Sequence, residues 1–165
     1  EHIAKAYSSI KASTGRAPLG WYCRYSPSES TRRLLVEHGG YSYDSDAYND
    51  EIPYWTDVGG KPHLVVPYSL VTNDAKLLAG GGIENAADYA QFLIDSFDVL
   101  AAEGRSNPRM MSVGMHPRVL GHPGRVAGLI RFLDHLQGRN DVWFARRADI
   151  ADFWRSAVPA EGLAA

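Results

Sequence analysis

Short apolar segments alternate with amphipathic ones along most of this chain, and Gly or Pro stands at nearly every change between them. That alternation constrains the fold more than any other feature, because strands separated by helices of three or more turns build βαβ units and a mostly parallel sheet or barrel. Ile3, Ala4, Tyr7 and Ile10 recur at helical spacing before Gly15 and Pro18. Leu19 to Cys23 reads as a buried strand, and Ser26-Pro27-Ser28 opens a helix that closes at Gly39-Gly40. Tyr41 to Tyr43 and His63 to Pro67 read as strands, with residues 47–63 between them as a long loop of the kind that forms sites. Tyr89, Phe92, Leu93, Phe97 and Leu100 mark one stripe of a helix, and Val126, Leu129, Ile130 and Leu133 mark another. Met110 to Met115 and Asp141 to Ala145 read as the last two strands, with a final helix over Ala148 to Trp154.

The 165 residues carry 17 Lys plus Arg against 19 Asp plus Glu, a formal net charge of −2. A balance this even leaves no electrostatic footprint for nucleic acid or an anionic membrane, so neither is an expected partner. No stretch approaches the roughly 18 consecutive apolar residues of a membrane span, and no signal-peptide pattern opens the chain. Cys23 is the single cysteine, which excludes an intrachain disulfide and fits a reducing, cytoplasmic location.

In βα architectures the site lies at the carboxyl ends of the strands. That rule selects Arg24-Tyr25-Ser26, Asp44-Ser45-Asp46, Tyr68-Ser69 with Asn73-Asp74, and His116-Pro117-Arg118. Acids, a histidine and arginines at separate strand ends are the parts of a hydrolytic site. His116 is the expected proton carrier, the alternative being a turn histidine bonded to backbone. Asp44 and Asp46, two apart and therefore on one side of a continuing strand, are candidates to orient its imidazole, or else turn or cap aspartates. Arg24 and Arg118 can grip carbonyl oxygens through their fork geometry, or form surface ion pairs. Tyr54 and Trp55 can wall a planar substrate, or pack on the sheet edge. Cys23 reads as a core residue rather than a nucleophile. His116 and His122, six apart across two prolines, lack zinc-pair spacing, and Gly80 to Gly82 lacks the continuation of a Walker loop.

These segments together resemble a known superfamily. Gly20-Trp21-Tyr22-Cys23-Arg24-Tyr25, Tyr43 to Asp50, Pro53-Tyr54-Trp55, Val65 to Tyr68 with Asn73-Asp74, and Met110 to Arg118 through Arg125 are similar to the polysaccharide deacetylases. More narrowly they resemble the branch holding the metal-independent allantoinases. The resemblance implies a distorted seven-stranded (β/α) barrel that hydrolyses a C–N bond in a small cyclic ureide or imide without a cofactor. Under it His116, Asp44 and Asp46 are catalytic, while Arg24, Tyr54, Trp55, Asn73, Asp74 and Arg118 bind substrate. The superfamily's acidic motif and its His-bearing metal motif have no counterpart in this sequence, so residues 1–165 are expected to be the C-terminal portion of one catalytic domain. A homo-oligomer, tetramer-like, or a complementary chain supplying the N-terminal part is the expected partner. Two alternatives accompany this reading: a deacetylase of an amino-sugar polymer using a divalent metal such as zinc, and a non-catalytic fragment or subunit.

Overall fold

The computed structural model describes residues 1–78 and 80–160. The chain divides into two compact units, residues 1–68 with 145–160, and residues 69–144.

The first unit is built on a sheet whose strands are short because glycine, proline and turn residues interrupt every apolar run. β1 (Gly20–Trp21), β2 (Tyr43–Asp44), β3 (Tyr54–Asp57) and β4 (Pro62–Val65) lie in the order β1-β2-β4-β3. The first three are mutually parallel, with Gly20 opposite Tyr43 and Tyr43 opposite Leu64. Gly20 is required there: a Cβ would stand 2.2 Å from the Tyr43 ring. Helix α2 (Thr31–His38) supplies the crossover from β1 to β2, and α1 (His2–Thr14) precedes β1. α1 buries no residue and rests on ring contacts, Tyr7 standing 5.1 Å from His38 and 5.4 Å from Tyr41. α2 starts later than the Ser26-Pro27-Ser28 signal, after a turn in which Tyr25 and Ser26 both take positive φ, 71° and 102°.

β3 lies inside the segment expected to be a loop. It pairs antiparallel with β4 through a two-residue turn in which Val58 N–H donates to Lys61 O at 2.9 Å and Gly59 and Gly60 have φ of 64° and 81°. Two consecutive residues at positive φ define a type I′ hairpin, and Gly-Gly is a sequence that satisfies it.

The second unit is helical. A 3-10 turn (Asp74–Leu77) precedes α3 (Ala86–Glu103), α4 (Pro117–Leu120) and α5 (Pro123–Leu136). Asn85 caps α3 by accepting from Ala87 and Asp88 N–H at 2.9 and 3.0 Å. Leu77, Tyr89, Leu93, Phe97, Val119, Leu120, Phe132 and Leu136 form the core of this unit. Gly128 lets α5 approach α3, since a Cβ there would meet Ala86 O at 2.6 Å. The buried face of α5 is Gly128, Phe132 and Leu136, rotated from the expected stripe, whose Ile130 and Leu133 are exposed.

Two expected strands do not form. Met110 to Met115 makes one isolated parallel bridge, Asn73 with Gly114, and Asp141 to Ala145 makes no ladder among the described residues. Their apolar side chains serve packing instead, with Met111, Val113 and Val142 against the core of the second unit. An apolar run supplies a side chain to bury but not a neighbouring backbone to pair with. The last helix, α6 (Arg147–Ala157), belongs to the first unit. No described helix is long and apolar enough to cross a membrane.

Candidate active site

In the second unit the 3-10 turn and the extended segment before α4 bring Asp74 to His116. Asp74 is fully buried, its Oδ1 accepts from His116 Nδ1 at 2.6 Å, and its Oδ2 accepts from the His116 backbone N–H at 2.7 Å. The pairing is locked by the backbone, because Asp74 N–H donates to Gly114 O at 2.9 Å beside the Asn73–Gly114 bridge. With Nδ1 as the donor to a carboxylate, the tautomer leaves Nε2 as the atom able to accept a proton. The His116 side chain is 41% exposed while its partner is sealed, so the pair has one dry end and one end facing outward. The orienting carboxylate is therefore Asp74, read from sequence as a substrate-binding residue, and not Asp44 or Asp46. Asn73 uses its Oδ1 to accept from Ala75 N–H at 2.8 Å, capping the 3-10 turn. Arg118, on α4, is exposed.

In the first unit Asp44 ends β2 wholly buried. Arg32 of α2 grips it with both fork positions, Nε to Oδ2 at 2.7 Å and Nη2 to Oδ1 at 3.0 Å. His63 of β4, 5% exposed, donates from Nε2 to Oδ2 at 2.9 Å. Burial alone would push the Asp44 carboxyl up, but the bonds from His63 and Arg32 and the Arg32 charge outweigh it and hold its pKa at about 2. Asp44 is thus a fixed anion that neutralises Arg32 inside the unit, and its ligands are Arg32 and His63 rather than His116.

The backbone of Asp46 donates from N–H to Asp44 Oδ1 at 3.0 Å, but its carboxylate has other partners. β2 ends at Asp44, so the two-residue alternation lapses, and Asp46 Oδ1 accepts instead from Cys23 N–H at 2.7 Å. Its Oδ2 is buried without a hydrogen bond, and burial raises its pKa. Cys23 is half-buried with Trp21 Nε1–H donating to Sγ at 3.1 Å, and burial pushes its thiol up, the opposite of what an activated nucleophile needs.

Arg24 is exposed at the end of β1, its guanidinium 4.4 Å from the Tyr25 ring centroid. Tyr54 donates to Asn49 Oδ1 at 3.2 Å, and Trp55 donates from Nε1 to Val158 O at 2.7 Å, tying β3 to the end of α6. Trp55 lines a shallow depression with Leu35, Tyr41, His63 and Arg155, on the α2 side of the sheet. Arg147 was missed from sequence: its Nη1 donates to Ser45 Oγ at 3.1 Å and to Val66 O and Pro67 O at 2.9 Å each, and burial lowers its pKa. Arg32 and His63 were missed too, one inside a helix rich in basic residues and the other at the start of an apolar run, where neither type signals a buried role.

The sealed Asp74 carboxylate and the outward-facing His116 imidazole are a pair able to accept and return a proton. No family model matches the chain. A protein of Schizosaccharomyces pombe named for polysaccharide deacetylase is 38% identical to it over 96% of this chain and 55% of that protein. The crystal structure of the allantoinase PuuE matches with TM-score 0.90 and 43% identity, over 96% of this chain and 53% of that one. A Pseudomonas aeruginosa PAO1 structure, also named for polysaccharide deacetylase, matches with TM-score 0.89 and 44% identity over the same shares. A Mycobacterium smegmatis structure at 24% identity and TM-score 0.75 shares the fold. The chain is thus similar to proteins named for polysaccharide deacetylase and allantoinase, as its motifs indicate, with a mixed α/β fold, and it spans about half the length of the relatives it matches.

Proposed function

We propose that this chain carries catalytic residues of a hydrolase that opens a C–N bond in a small cyclic ureide or imide. The observation that carries the reading is the Asp74–His116 pair. Asp74 holds the imidazole as its Nδ1–H tautomer and balances the charge that appears when Nε2 takes a proton. That proton comes from a water whose oxygen bonds to the ring carbonyl carbon, and as the C–N bond breaks Nε2 gives the proton to the departing ring nitrogen. Arg24 and Arg118, each exposed on its own unit, are the guanidiniums proposed to bind carbonyl oxygens. The 43% identity to an allantoinase supports the substrate class. We propose also that the four-stranded sheet is a section of a distorted seven-stranded barrel, which the TM-score of 0.90 to part of a longer chain supports.

The second reading, removal of acetyl groups from an amino-sugar polymer, is favoured by the names of two relatives. That chemistry uses a divalent metal. Among the described residues no group of three His, Cys, Asp or Glu side chains is placed to hold one. These residues do not by themselves form such a centre, and no step here passes through a metal. Parallel assays on allantoin and on N-acetylglucosamine oligomers separate the readings: ring opening supports the first, and acetate release without ring opening supports the second.

A further inference from the structure

Three tyrosines, none used in the reading above, gather within the first unit at the carboxyl ends of its three parallel strands. Tyr22 follows β1, Tyr48 follows β2 and Tyr68 follows β4, which is where ligands enter sheets of this type. Tyr68 stands edge-on to both others, with ring centroids 5.2 Å from Tyr22 and 6.1 Å from Tyr48. Tyr48 Oη donates to Tyr22 Oη at 3.3 Å.

The loops that carry these rings are bound to one another. Tyr68 N–H donates to Ala47 O at 2.8 Å, next to Tyr48. Arg147 lies behind, bonded to the carbonyls of Val66 and Pro67 and 5.5 Å from the Tyr68 ring centroid. The cluster is rigid at its base, yet Tyr22 and Tyr48 remain 46% and 42% exposed. In a packing cluster the rings are buried and each hydroxyl usually finds a partner within the protein. Here the Tyr48 hydroxyl goes to Tyr22, and among the described residues the Tyr22 proton meets no acceptor, which leaves it for an outside one. Tyr22 keeps that proton through the neutral range, because burial and the Tyr48 bond raise its pKa to about 12.

We propose that Tyr22, Tyr48 and Tyr68 form a subsite for a small, neutral, planar ring bearing amide carbonyls. The ring lies on the exposed tyrosine faces and a carbonyl oxygen accepts from Tyr22 Oη. This inference rests on the cyclic-ureide reading, whose substrate class it specifies in terms of contacts.

The test is calorimetric titration of the full chain with allantoin, repeated on Tyr22→Phe, Tyr48→Phe and the double variant, with circular dichroism to verify folding. Each phenylalanine keeps the ring and removes only a hydroxyl. The expected result is allantoin binding by the unmodified chain, weakened roughly tenfold by Tyr22→Phe and further by the double change. Unchanged affinity in the folded double variant, or no allantoin binding at all, overturns the proposal. Binding of N-acetylglucosamine oligomers in place of allantoin, lost in the same variants, overturns the ligand class. Tyrosine-dependent binding without turnover contradicts the proposed reaction and leaves the subsite standing, whereas turnover with KM unmoved by the double variant does the reverse.

Discussion

Asp74 gives both carboxylate oxygens to one residue, Oδ1 to the ring of His116 at 2.6 Å and Oδ2 to its backbone N–H at 2.7 Å. Position and tautomer of the imidazole are therefore set by a single buried anion. Removing its charge without its shape isolates that role. In Asp74→Asn the side-chain amide can present its N–H to Nδ1 and reverse the tautomer, so kcat on the ring substrate is expected to fall by about 10²-fold to 10⁴-fold. KM and the far-ultraviolet dichroism should change little, and steady-state kinetics beside a dichroism spectrum checks both.

Asp44 has a structural task. Asp44→Asn leaves the Arg32 guanidinium and His63 with a neutral partner inside the first unit. A loss of about 3 kcal/mol in urea unfolding is expected, since breaking a buried pair strands the remaining charge. A variant as stable as the original would show that this triad contributes nothing to the fold.

The same carboxyl sets an acid limit. Its pKa is 3.8 when unfolded and about 2 when folded, so between those values the unfolded chain binds the extra proton. Stability from Asp44, about 2 kcal/mol, is present above pH 4 and declines as pH falls toward 2. Denaturant midpoints recorded across that window should move downward with acid, and should move less in Asp44→Asn.

Gly128 tests the helix pair of the second unit. A methyl group would stand 2.6 Å from Ala86 O, against backbone that cannot yield as a side chain does. Gly128→Ala should therefore cost about 1–3 kcal/mol, although alanine favours helix. Thermal melts of the two proteins decide the sign.

How much of this was legible in the sequence follows from which interactions are local. The helices α1, α3, α5 and α6 were readable, because side-chain spacing and caps such as Asn85 act within a few residues. β3 was missed although Gly59-Gly60 announces an I′ turn, because the residues flanking it are aromatic and polar rather than alternating. Met110 to Met115 misled in the other direction, its apolar residues meeting α3 and α5 instead of a strand. The strand-end rule selects His116, Asp74 and Asp44 as candidates, yet it offers Asp44 or Asp46 to the histidine, whose bonded carboxylate is Asp74. Nothing in local spacing tells that Asp74, 42 residues away, meets His116 while Asp44 meets Arg32 and His63.

The central claim is that His116, held by Asp74, moves the proton in ring hydrolysis. Opening the ring of allantoin yields a carboxylic acid, so a pH-stat follows it directly. The prediction is steady acid release from allantoin by the protein, reduced about 10²-fold or more in a folded His116→Asn variant. Allantoin and hydantoin left intact, with acetate released from N-acetylglucosamine oligomers instead, would contradict it.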